Sequence, residues 1–136
     1  MAKRSRRSLT LIEIMVVLFI IGLALSVLIP WMKGSLDEGK AFKTKQRAQQ
    51  ISQMLTMAAA QSNVSLDAAA SSPETYLTAS GLVQNSTKFL LDGWGQPMKA
   101  EVVHGNDGDF IRVLSDSYRK HMQRKHGPGW TESAEE

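Results

Sequence analysis

The sequence predicts an α+β protein: a long N-terminal helix, its first half suited to a membrane, packed on a small antiparallel sheet. Three observations predict this. Residues 9–29 are an apolar run of 21 residues with a single charge, Glu13. Ile51, Met54, Leu55, Ala58 and Ala59 recur at i, i+3, i+4, i+7 and i+8, which is one apolar face of a helix. Residues 98–103 (MKAEVV) and 110–114 (FIRVL) have strand composition and flank the turn-rich HGNDGD of residues 104–109, so they read as a hairpin.

Taken in order, the chain begins with eight residues that carry Lys3, Arg4, Arg6 and Arg7 and no acid. The apolar run that follows would be about 31 Å long as a helix, close to the hydrocarbon thickness of a bilayer. The basic end is expected to stay in the cytoplasm, and Trp31 suits the far interface. Glu13, one turn into the run, is costly in lipid and needs a reason. An ordinary anchor would let Glu13 reach the interface. A cleaved secretory signal would use the twin-arginine-like Ser5-Arg6-Arg7-Ser8-Leu9 and the small-residue site Ala24-Leu25-Ser26. Against the signal, Glu13 interrupts the apolar region, and Val27, Leu28 and Ile29 continue past the site.

Ser8-Leu9-Thr10-Leu11-Ile12-Glu13 resembles the cleavage motif of type IV pilins and type II secretion pseudopilins. In that family a short basic leader ends in glycine and is cut by a prepilin peptidase on the cytoplasmic side. The new N-terminal residue, usually phenylalanine, is N-methylated, and the fifth residue after the cut is glutamate. The resemblance implies a cut between Ser8 and Leu9, methylation of Leu9, and Glu13 as that glutamate. Gly22 and Pro30 fall where the family has a glycine and a helix-bending proline. Ser8 stands in place of glycine and Leu9 in place of phenylalanine. The resemblance also explains Glu13: paired with the amine on Leu9 of a neighbour, a buried carboxylate becomes tolerable. The pair would set the axial register of a helical filament.

Removing the leader and the apolar run leaves 106 residues, enough for one small domain. The net charge of +3 belongs to the leader, which holds 4 of 16 basic residues. The remainder has 12 basic against 13 acidic residues, a net −1, so charge gives no argument for nucleic acid. There is no cysteine, which excludes disulfides, thiol catalysis and thiolate metal sites.

The helix is expected to run from Thr10 to about Ser62, bent or loosened near Pro30. Lys40, Lys43, Lys45 and Arg47 form a basic patch, read as a solvated face that could also meet Asp37 or Glu38 of another subunit. Residues 63–72 read as a connecting loop. A short helix over residues 73–80 has Ser72 as N-cap, Pro73 at its first position and Gly81 at its end, and should bury Tyr76 and Leu77.

Phe89-Leu90-Leu91 leads into Asp92-Gly93-Trp94-Gly95-Gln96-Pro97, which resembles the Asp-Pro-Trp-Gly-x-Pro segment of the major pseudopilin of type II secretion, with Gly93 in place of proline. Trp94 is expected to fill core against the long helix. The resemblance places a calcium-binding loop near residues 115–117. Calcium needs six to eight oxygens, yet only Asp116 lies there before Glu132. Asp107 and Asp109 sit in the hairpin loop, so these three are weak metal candidates, and no cofactor is expected. Residues 118–126 (YRKHMQRKH) read as a basic helix docked by Tyr118 and Met122 and ended by Gly127 and Pro128.

No nucleophile elbow, phosphate loop or zinc signature is present, so no enzyme is expected. The expected organisation is a leader (residues 1–8), an assembly helix (9–30), a periplasmic globular region including the rest of the helix (31–126) and a flexible tail (127–136), the lollipop of the type IV pilin-like family. The resemblance implies a type II secretion pseudopilus subunit of the inner membrane, N-terminus in the cytoplasm. Its partners would be its own copies, other pseudopilins, the prepilin peptidase and an inner-membrane assembly platform. A type IV or competence pilus subunit is the alternative within the class. A membrane-anchored or secreted periplasmic binding domain is the alternative outside it.

Overall fold

The computed structural model describes residues 10–132. Seven elements follow one another: α1 (Leu11–Ser62), α2 (Leu66–Ser71), α3 (Pro73–Ala79), α4 (Ser86–Phe89), β1 (Lys99–Gly105), β2 (Gly108–Leu114) and α5 (Asp116–His126). The chain divides into two compact units, one ending at Leu36 and the other beginning at Asp37.

In the first unit, α1 opens on the carbonyl of Thr10, which accepts the amides of Glu13 (3.0 Å) and Ile14 (3.3 Å). The helix is apolar all round rather than striped, as expected of a segment that meets no polar surface. It runs without interruption through Gly22 and Pro30. Pro30 has no amide hydrogen, so the carbonyl of Ser26 loses its helical donor.

The second unit is the α+β part. Ile51, Leu55 and Ala59 of α1 meet Ala69 and Ala70 of α2, Leu77 of α3, Leu90, Met98, and Ile111 and Val113 of β2 in one buried core. The two strands pair antiparallel, with Val102 opposite Ile111 and Ala100 opposite Val113. These pairs face the core, while Glu101 opposite Arg112 faces out, as the two-residue period of a strand requires. The Ser52 hydroxyl of α1 donates to the Ile111 carbonyl, tying the helix to the sheet. An isolated bridge, Leu91 to Pro97, continues the strand pattern beyond the hairpin.

Several expectations need correction. The loop expected over residues 63–72 contains α2, because the Ser65 hydroxyl caps the Ala68 amide and three alanines favour helix. Ser72 sits at the N-cap of α3 but makes no side-chain cap bond, and the stop is Ser80 followed by Gly81 at φ 69°. Leu77 is buried as expected, whereas Tyr76 is half-buried. The apolar run at Phe89 is entered through α4, capped by Asn85, whose side chain accepts the Lys88 amide at 3.0 Å. The hairpin loop is tighter than expected: Gly105 pairs with Gly108, leaving only Asn106 and Asp107 in the turn. Helix α5 starts two residues earlier, at Asp116, because Ser115 caps it.

A second, smaller cluster joins Ala41 of α1 to Tyr118 and Met122 of α5, with Trp94 and Trp130 packed against it. Trp94 is therefore half-buried between α1 and α5 rather than in the main core. Its ring lies 5.7 Å from that of His121. The tail expected to be free from residue 127 is docked as far as Trp130, whose ring meets Tyr118 edge-on at 5.9 Å.

Candidate assembly site

Every large apolar side chain between Leu11 and Met32 is exposed: Leu11 at 83%, Phe19 at 67%, Trp31 at 84%. The segment has a mean hydropathy of 2.9 over its most apolar window, and none of that window is buried. By length and composition it is a candidate membrane span. Glu13 is the acidic residue of its first turn. One turn on lie the exposed Val16 and Val17, so on that side the carboxylate adjoins apolar surface. A Cβ added at Gly22 would meet nothing. The glycine thus faces open space. Ser8 and Leu9, the two sides of the expected cut, lie outside the described residues, and so does the pairing of Glu13 with a Leu9 amine.

The pseudopilin-like hexad is organised by Asp92, a residue sequence reasoning quoted without giving it a role. It is 4% exposed. Its Oδ1 accepts the amides of Trp94 (2.8 Å) and Gln96 (2.9 Å), and its Oδ2 accepts the Ser115 hydroxyl at 2.7 Å. The Ser115 oxygen in turn accepts the Tyr118 amide at 3.1 Å, capping α5. One carboxylate therefore folds the turn and fixes the start of α5. Burial pushes the Asp92 carboxyl up, but hydrogen bonds from Ser115, Gln96 and Trp94 outweigh it and hold it below the usual carboxylate range.

Gly93 explains its own departure from proline. Its amide donates to the Thr44 hydroxyl at 2.8 Å, and that hydroxyl donates to the Lys40 carbonyl at 2.8 Å. A Cβ at Gly93 would come within 2.6 Å of the same carbonyl. A proline would lose the donor and clash. Thr44, buried on α1, is the partner, and no local pattern singles it out.

The expected metal candidates are not gathered. Asp107 is in the hairpin turn. Asp109 holds His104 at 2.9 Å. Asp116 holds Arg119 and lies 3.6 Å from Lys99. Among the described residues no three of His, Asp and Glu converge on one point. The basic patch on α1 is partly used within the chain. Arg47 donates to the Leu91 carbonyl at 2.8 Å and lies over the Phe89 ring. Lys40 sits 3.9 Å from Asp37, and Glu38 is taken by Lys125 of α5. The Lys125 hydrogen bond and charge hold the Glu38 carboxyl below its ordinary value.

Residues 3–29 match the prokaryotic N-terminal methylation motif. Three provisionally named outer membrane proteins are similar over most of their length. That of Chlamydia muridarum is 37% identical over 122 residues, covering 89% of this chain and 96% of that protein. That of Chlamydia trachomatis serovar D is 35% identical with the same coverage. That of Chlamydia pneumoniae is 32% identical over 114 residues, covering 83% and 90%. The chain belongs to their family. No solved structure matches it. Its N-terminal motif is the type IV pilin-like signal, which implies processing by a prepilin peptidase and pilus-like oligomerisation. With the apolar helix, it makes this a membrane-associated protein.

Proposed function

We propose that this protein is a structural, non-catalytic subunit of a type II secretion pseudopilus. The observation that carries the proposal is the methylation motif at residues 3–29, with Glu13 in the first turn of a helix whose large apolar side chains from Leu11 to Met32 are all exposed. The precursor is held in the inner membrane with its C-terminal region in the periplasm. It is cut between Ser8 and Leu9 and methylated on Leu9. Glu13 then pairs with the Leu9 amine of a neighbour as subunits join a helical filament, whose growth drives export across the outer membrane. The turn built on Asp92 supports a pseudopilin over a pilin, because it serves the segment that resembles the major pseudopilin.

N-terminal sequencing of the membrane-purified protein from a host with a prepilin peptidase is the test. A mature start at methyl-Leu9 is expected. An intact Met1 would sink the filament reading, and a start at Val27 would favour a secreted domain. Membrane fractionation tests location: the unassembled subunit should travel with the inner membrane, whereas the relatives' name would send it to the outer.

A further inference from the structure

Helix α5 carries four Arg and Lys in eleven residues, and the filament reading gives them no task. Its inner side is set by Tyr118 and Met122, both buried against Ala41. At 100° per residue, Lys120 and Arg124 lie on the opposite side, next to each other one turn apart. Both are exposed, and the Arg124 Nε donates to the Lys120 carbonyl at 3.4 Å. With Gln123 and Pro128 they line an open depression. The nearby acids are engaged elsewhere: Asp116 with Arg119, Glu38 with Lys125. Among the described residues no carboxylate pairs with Lys120 or Arg124.

Chain length restricts what this face can meet. Lys125 is held by Glu38, which is nine residues beyond Ile29, the end of the apolar run. Nine residues reach about 32 Å at full extension. If residues 9–29 span a bilayer, this tether keeps the Lys125 end of α5 within about 32 Å of its surface, near enough for the face to be able to meet it. An anionic surface attracts each nearby Lys or Arg by about fivefold in partition. A guanidinium fork beside an ammonium group also suits phosphate oxygens.

We propose that the outer face of α5, centred on Lys120 and Arg124, docks on anionic phospholipid headgroups of the membrane that holds residues 9–29. The proposal rests on the membrane-spanning reading. The docking parks the second unit on the bilayer while the subunit awaits assembly, and entry into a filament releases it.

The chain has no cysteine, so a single His126→Cys substitution gives one labelling site at the end of α5. The full chain is reconstituted in vesicles whose headgroups carry a quencher, with or without phosphatidylglycerol in phosphatidylcholine. Flotation reports the span, and quenching reports the dock. Quenching is expected in anionic vesicles and lost in phosphatidylcholine alone or at high salt. The further pair K120Q/R124Q should weaken the contact about 30-fold while flotation persists. Equal quenching in both lipids, or none lost in K120Q/R124Q, overturns the dock. Energy transfer between labels on different copies, independent of lipid charge, assigns the face to a second subunit and also overturns it. A chain that does not float overturns the spanning reading instead. Both substituted side chains are exposed, and an unchanged Tm separates a lost contact from a lost fold.

Discussion

The two units of this molecule solve the problem of apolar surface in opposite ways. From Asp37 on, burial is internal: Ile51, Leu55, Leu77 and Ile111 are at most 1% exposed, and the buried carboxylate of Asp92 has three hydrogen-bond donors. Among the described residues up to Leu36, every large apolar side chain is exposed. Burying a Leu, Ile, Val or Phe side chain stabilises by about 1.5–3 kcal/mol, so a segment that leaves more than a dozen exposed is not finished as a lone molecule. Its partner is lipid or another copy. The difference teaches that one helix can carry two kinds of surface: one completed by its own chain, the other by its surroundings. Between Thr10 and Met32 Glu13 is the only charged residue described.

The largest effect that would sharpen this contrast comes from Glu13→Ala. Removing an ionic partner from a buried pair costs about 3–5 kcal/mol, enough to stop a filament that repeats the pair at every subunit. Sheared or pelleted filaments should fall below detection, while membrane insertion and the Tm of the second unit stay unchanged. Normal assembly would break the pairing role. Leu55→Ala is the mirror experiment. It opens a cavity in the internal core and should cost about 2–5 kcal/mol in denaturant unfolding without altering insertion.

Next in size is Gly93→Ala. The new methyl would press on the Lys40 carbonyl, a backbone atom that cannot swing away. About 1–3 kcal/mol of destabilisation is expected from such overpacking, read as a lower Tm. An unchanged Tm would mean that the turn does not sit against α1 as described. Asp92→Asn should cost somewhat less, about 1–2 kcal/mol, since both amide donors keep an acceptor while the Ser115 cap is weakened. Its pH signature is more telling. The folded carboxyl is held below its unfolded value, so its stabilisation is present above about pH 4 and fades as pH falls through the folded value. The acid limb of the wild-type stability curve should flatten in the variant.

How much of this was legible in the sequence depends on range. Local signals sufficed for α1, α3, both strands and α5, because apolar period, Pro73 and turn glycines act within a few residues. They also located the N-terminal motif with Glu13. Helix α2 was hidden because small polar residues suit loops and caps alike, and only packing of Ala69 and Ala70 on the core decides. The bonds of Asp92 to Ser115 and of Gly93 to Thr44 span 23 and 49 residues. Nothing in a linear pattern reports such distances, though an acid leading a Gly-Trp-Gly turn was a signal that a carboxylate was needed there. Trp130 was missed for the same reason: its partner, Tyr118, lies on a different element.

The smallest effect tests the most solvent-exposed part of the self-sufficient unit. At the hairpin tip, the hydrogen bond and charge of Asp109 raise the His104 imidazole above its ordinary value. The pair is exposed, so water and salt screen it and its share of stability is slight. The sign is nevertheless fixed. A raised folded value means the contribution is complete below the unfolded value, about pH 6.5, and is lost as pH rises through the folded one. Asp109→Asn should bring the NMR titration midpoint of His104 down toward that unfolded value and leave the Tm nearly unchanged once the pH exceeds both midpoints and the imidazole is neutral in either chain. A midpoint that does not move would mean the two strands do not hold His104 opposite Asp109. The register that also turns Ile111 and Val113 into the core would then be in error, and with it the claim that this unit completes its own interior.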